Sequence, residues 1–107
     1  MIIAEISIVP VGTKTASVSK YVAKAVEELK KIGLKPELTG MGTEFEIDNI
    51  EKVLEAFKVV HESVFKEGCM RVVTNLKVDE RRDKKGSIEQ KKESVTKWHI
   101  KGKKPQV

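Results

Sequence analysis

Along this chain the spacing of apolar residues runs two, about 3.6, two, two, about 3.6, two, and few folds accept that order. MIIAEISIV opens it, with Ile2, Ala4, Ile6 and Ile8 alternating against Ile3, Glu5, Ser7 and Val9 until Pro10 and Gly12 intervene. Alternation of this kind gives a strand one apolar and one mixed face. From Ser17 onward Val18, Tyr21, Val22, Ala25, Leu29 and Ile32 recur at helical spacing, with lysines and glutamates between them. Ser17 stands where a helix cap is expected, Gly33 where a left-handed residue ends the helix, and Pro36 opposes a further turn.

The next stretch, ELTGMGTEFE, reads as a hairpin. A short strand covers Pro36 to Gly40, Met41-Gly42 form the turn, and Thr43 to Ile47 form a second strand. Asp48-Asn49 then open a second helix, with Glu51 three residues after Asp48 in the manner of a capping box. Its apolar positions are Ile50, Val53, Leu54, Phe57, Val60, Val64 and Phe65, and Gly68 closes it. Cys69 to Asp79 alternates again, with Val72, Thr74, Leu76 and Val78 on one side and Arg71, Val73, Asn75 and Lys77 on the other. ERRDKKGS is a polar loop, and Ile88 to Trp98 forms a weaker third helix.

The fold class that follows is α+β: a ferredoxin-like β-α-β-β-α-β sandwich. Its four-stranded antiparallel sheet carries two helices on one face, with a short C-terminal helix added. At 107 residues the chain suits one domain, residues 1–98, followed by a basic tail at 99–107. Residues 84–107 hold eight lysines against Glu89 and Glu93, so the net charge of +5 belongs to the tail and not to the domain. No apolar run approaches the roughly 20 residues of a membrane span, and no signal peptide precedes the first strand. A lone cysteine, Cys69, suits a small buried hydrophobe in a reducing compartment, so a cytoplasmic location is expected.

Two helices on one sheet face leave the other bare. The bare side carries Glu5, Ser7, Glu44, Glu46, Arg71, Asn75 and Lys77, interleaved with Ile3, Val9 and Val73. Water alone does not require the aliphatic residues, and a dry core would not carry three carboxylates. The mixture suits a sheet packed on a second subunit's sheet around a polar ligand. The plainer alternative is a cross-strand array pairing the acids with Arg71 and Lys77. Hydrolase, P-loop and zinc-protease signatures are absent, and no metal-ligand spacing occurs. His61 flanks the second helix's apolar stripe and reads as structural, with ligand contact as the alternative. Gly12 and Thr13, in a loop before a helix, could meet an anion. Five aromatics among 107 residues give no base-stacking platform, so nucleic acid is not an expected partner.

The segments EISIVPVGT (5–13), SKYVAKAVEELKKIGL (19–34), ELTGMGTEFE (37–46), VVHESVFKEG (59–68) and RVVTNLKVDERRD (71–83) together resemble the thiamine-binding protein family. That resemblance covers residues 2 to 95. It implies a ferredoxin-like domain that forms a homodimer, and a tetramer through its sheet faces, with a small-molecule pocket near the open face and subunit boundary. It implies non-catalytic binding of thiamine or its hydroxymethylpyrimidine half; no further cofactor is expected, and the lack of a long apolar run leaves no membrane partner expected. Thiamine is a cation with a hydrogen-bonding pyrimidine edge, which calls for carboxylate, hydroxyls and apolar surface. Glu46 is the first carboxylate choice and Glu5 the second. Ser7 and Thr43 offer hydroxyls, Gly42 permits close approach, and Met41 can cover a ring. Gly12, Thr13, His61 and Arg71 are secondary candidates, and no residue is assigned a catalytic or metal role. The alternatives are a regulatory module sensing an amino acid or nucleotide, an enzyme using His61 or Glu46 as base, and polyanion binding by the lysine tail.

Overall fold

A computed structural model describes residues 1–83 and 87–100. Most of the basic tail expected at 99–107, and Lys84, Lys85 and Gly86 of the polar loop, therefore lie outside the described residues. The elements are β1 (Ile2–Val11), α1 (Ser19–Lys31), β2 (Glu37–Leu38), β3 (Thr43–Ile47), α2 (Ile50–Lys66), β4 (Arg71–Glu80) and α3 (Ile88–Ile100). The strands form one antiparallel sheet in the order β2-β3-β1-β4, with β1 central. This is the ferredoxin-like arrangement.

Alternation settles which face is which. Ile2, Ala4, Ile6 and Phe45 are buried beneath the helices with Leu29 of α1 and Val53, Ala56 and Val60 of α2. Register carries Val72, Thr74, Leu76 and Val78 onto the same side of β4. Glu5, Ser7, Val9, Glu44, Arg71, Val73, Asn75 and Lys77 point the other way. β1 pairs with β4 along its full length but with β3 only from Ile2 to Ile6, so its last residues have a partner on one side only.

Local details differ from the sequence reading: β1 runs through Pro10 to Val11, β4 begins at Arg71 rather than Cys69, α3 extends to Ile100, and four further differences bear on caps, a strand and burial. The cap of α1 is Val18, without a side-chain bond; Ser17 Oγ instead reaches Ser19. The α2 cap is Asn49, whose Oδ1 accepts from Lys52 N at 2.8 Å, so Asp48 is displaced from that role. Strand β2 is two residues rather than five, because Thr39 turns the chain early. Finally, α2 buries Ala56 and Ser63 with Val53, Val60 and Val64, and leaves Ile50, Leu54 and Phe65 exposed. Gly33 and Gly68 do end their helices with positive φ, 89° and 93°.

Candidate functional site

The β2–β3 turn is fastened by Thr39. Its backbone N–H donates to the Gly42 carbonyl at 2.8 Å and its hydroxyl donates to the same oxygen at 2.9 Å. The hydroxyl oxygen in turn accepts from Met41 N and Gly42 N at 3.2 and 3.1 Å. This holds Met41 out in solvent, 85% exposed, and brings Gly42 down onto β1. A Cβ on Gly42 would stand 3.0 Å from Glu5 Cγ, 3.2 Å from Glu5 Cδ and 3.2 Å from the Ile6 carbonyl oxygen. Glycine is therefore the residue that lets the turn lie against Glu5.

Because β3 begins at Thr43, β1 runs on past it with no partner on that side, and a cleft of about 350 Å³ opens there. Ile6 to Val9 form one wall, Leu38 to Thr43 a second, and Val18, the cap of α1, with Val22 of α1 the third; Leu29 and Val60 also line the cleft. The lining is mostly apolar. Ser7, Met41, Gly42 and Thr43 all border this cleft, and Glu5 abuts it through Gly42. Thr43 is buried on the helix side, while Ser7 and Val9 belong to the bare face, so the cleft communicates with that face.

The sheet face turned away from α1 and α2 is not wholly bare, because α3 reaches one end of it through Glu46, Asp79 and Glu37, and it holds an acidic row. Glu37 opposes Glu44, Glu44 opposes Glu5, and Glu5 opposes Lys77 across four strands. Directly opposed like charges are unfavourable in a sheet. Among the described residues neither Glu5 nor Glu44 has an ion-pair partner, so the array with Arg71 and Lys77 is not formed.

The remaining candidates lie elsewhere. Glu46, at the far end of β3 from Gly42, accepts the Ile88 N–H at 2.6 Å and so satisfies a free donor in the first turn of α3. Lys91 and Lys92 of that helix pair with Asp79 and Glu37, and Glu37 with Glu89 holds the Lys92 ammonium above its ordinary range. His61 Nδ1 meets Thr74 Oγ1 at 2.8 Å between α2 and β4, with its ring stacked on Phe57 and edge-on to Phe65. Arg71 opposes Val11 at the exposed start of β4. Gly12 has φ 82°, and Thr13 donates to the Thr15 carbonyl; neither borders the cleft. Sequence reasoning missed Val18, Val22, Leu38 and Thr39 as cleft residues. The available signal was that the start of α1, its cap Val18 and Val22, presents two apolar residues beyond the reach of β3.

Comparison with known proteins agrees with this fold. A model of the thiamine-binding protein family matches residues 4–96. The chain is 46% identical over 95 residues to a UPF0045 protein of Methanothermobacter thermautotrophicus, covering 89% of this chain and 96% of that one. It is 45% identical over 103 residues to the UPF0045 protein YqgV of Bacillus subtilis, covering 91% and 96%. A crystal structure from Methanocaldococcus jannaschii superposes with a TM-score of 0.80 at 48% identity, covering 89% of this chain and 95% of that chain. A candidate thiamine biosynthesis/salvage protein of Thermotoga maritima shares the fold at 22% identity, with a TM-score of 0.69 and coverage of 91% and 97%. With most of its length matched by the family model and by relatives of nearly half-identical sequence, the chain belongs to the thiamine-binding protein family.

Proposed function

We propose that this protein binds thiamine, or its hydroxymethylpyrimidine precursor, without changing it chemically, in the cleft between the Thr39–Gly42 turn, β1 and α1. The observation that carries this reading is the convergence of Ser7, Met41, Gly42 and Thr43 on one apolar cleft with the Glu5 carboxyl group at its border. A cavity of about 350 Å³ lies within the roughly 300–1,000 Å³ range of small-molecule sites. In this arrangement the ring system lies against Val18, Val22 and Ile8. The Glu5 carboxylate, which has no base within ion-pair distance among the described residues, balances the thiazolium cation. Ser7 supplies a hydroxyl toward the pyrimidine edge. Met41, free at the turn, folds over the exposed ring face.

A second copy packed on the bare sheet face would cover Val9 and Val73, which are 51% and 45% exposed, and close the cleft's open side. That makes the binding form a homo-oligomer joined through sheet faces. The lone thiol of Cys69, buried and donating to the Arg71 carbonyl, suits a reducing, cytoplasmic setting. No helix among the described residues is long and apolar enough to cross a membrane.

Thermal unfolding with added ligand tests the reading. Thiamine or hydroxymethylpyrimidine at about 100 times its dissociation constant should add about 2.7 kcal/mol of stability. A midpoint raised by an amino acid or nucleotide but by neither of these would replace the reading with that of an effector sensor.

A further inference from the structure

The Thr39–Gly42 turn has the composition of a phosphate cradle, with a hydroxyl and two glycines beside a ligand cleft. Such loops hold phosphate through free backbone N–H groups. Here those groups are engaged. Thr39 N–H donates to the Gly42 carbonyl at 2.8 Å, and the Met41 and Gly42 N–H groups donate to Thr39 Oγ1 at 3.2 and 3.1 Å. The turn's own hydroxyl takes the place that an anion would occupy.

The start of α1 is the second place beside the cleft where a phosphate would be received. Donors there are engaged as well. Ser19 N–H donates to Ser17 Oγ at 3.4 Å, and Tyr21 N–H donates to the Val18 carbonyl at 3.0 Å. Lys20, in the same turn, lies over the ring of Tyr21, with its ammonium 5.3 Å from the centroid. Neither Lys14 nor Lys20 lines the cleft. Among the described residues every lining side chain is uncharged, and the polar ones are the hydroxyls of Ser7, Thr39 and Thr43. The charge that does stand at the border is negative. Glu5 lies against Gly42, and Glu44 opposes Glu5 across the strand pair.

We propose that the cleft takes its ligand as the free alcohol and rejects the phosphate esters of the same compounds. This rests on the reading of the cleft as the site for thiamine or hydroxymethylpyrimidine, and narrows it. Different features act on the two esters. The ester of hydroxymethylpyrimidine would carry its anion into the uncharged lining, where nothing replaces the water it loses. The ester of thiamine would carry its anion on the short arm of the thiazolium ring. With that ring balanced by Glu5, the anion stands beside Glu5 and Glu44, and like charges repel. A protein that holds the free alcohol stands ahead of the phosphoryl-transfer step that consumes that hydroxyl.

Calorimetric titration of the full chain with thiamine, thiamine monophosphate, hydroxymethylpyrimidine and its monophosphate tests this. Each ester is also titrated into protein saturated with thiamine, so that binding by lysines elsewhere on the chain is not counted. Each ester should bind the cleft at least tenfold more weakly than its alcohol. Glu44→Lys reverses one charge of the border without touching the lining. It should narrow the ratio for thiamine and leave the ratio for hydroxymethylpyrimidine as it was. An ester that binds the cleft as tightly as its alcohol overturns the proposal and leaves the binding reading in place. A thiamine ratio unmoved by Glu44→Lys overturns the role given to the acidic border. Failure of all four compounds to bind removes the binding reading itself, and this proposal with it.

Discussion

Gly42 rests on the side chain of Glu5, so closely that a single added carbon would meet Glu5 Cγ at 3.0 Å and the Ile6 carbonyl oxygen at 3.2 Å. The acid can swing aside, but the backbone oxygen cannot. Gly42→Ala should therefore lift the turn from β1, at a cost of about 1–2 kcal/mol after the smaller gain from restricting the unfolded chain. Denaturant unfolding measures that cost. Ligand-induced stabilisation should fall with it, because the turn is one wall of the cleft.

Charge and shape can be separated at Glu5. Glu5→Gln preserves the side chain's length and removes its charge. Thiamine carries a permanent cation and hydroxymethylpyrimidine does not. Affinity for thiamine should fall about tenfold or more, the scale of one lost charge-assisted contact, while affinity for hydroxymethylpyrimidine changes little. Calorimetric titration with both ligands decides it, and equal losses would remove Glu5 from the role of counter-charge.

Glu46 serves a different part of the molecule. Its carboxylate accepts from Ile88 N at the start of α3. Glu46→Ala should loosen that helix, costing about 0.5–2 kcal/mol as other lost caps do. Amide hydrogen exchange at Ile88 and the following turn should quicken, with ligand affinity unchanged.

The Glu28–Lys31 pair on α1 supplies a pH-dependent signature. A hydrogen bond from Lys31 holds the Glu28 carboxyl below its ordinary value, and the same bond raises Lys31. A depressed carboxylate contributes stability above its unfolded pKa and loses it as pH falls through the folded one. The contribution is small at so exposed a site. A carboxyl titration by NMR should place the Glu28 midpoint below the ordinary glutamate range, and Lys31→Met should move it upward.

Much of this fold was legible because burial follows period. Thr43 to Ile47 was bounded correctly, and Phe45 fell on the helix side as alternation required. Caps were less legible: Asp48 and Asn49 are chemically alike, and only backbone geometry awards the Lys52 N–H to Asn49. The convergence of Ser7, Met41, Gly42 and Thr43 depends on the register that sets Ile6 opposite Thr43 and carries β1 beyond the start of β3, and no local pattern records the register between distant strands. The engagement of Glu46 was equally hidden. Its partner, Ile88, lies 42 residues away on an element whose docking the sequence does not specify. In α2 the pattern gave a stripe wider than the sheet beneath it, so Leu54 and Phe65 read as core and emerged on the surface.

The unequal edges of the sheet also limit how far such chains can aggregate. An edge that can be joined on both sides of a molecule propagates a ribbon without end, as fibrils do. Here one side is two residues long behind a proline and the other is a full ten-residue strand. Strand addition at the short edge finds almost no backbone to pair with, so a ribbon of sheets cannot grow in both directions.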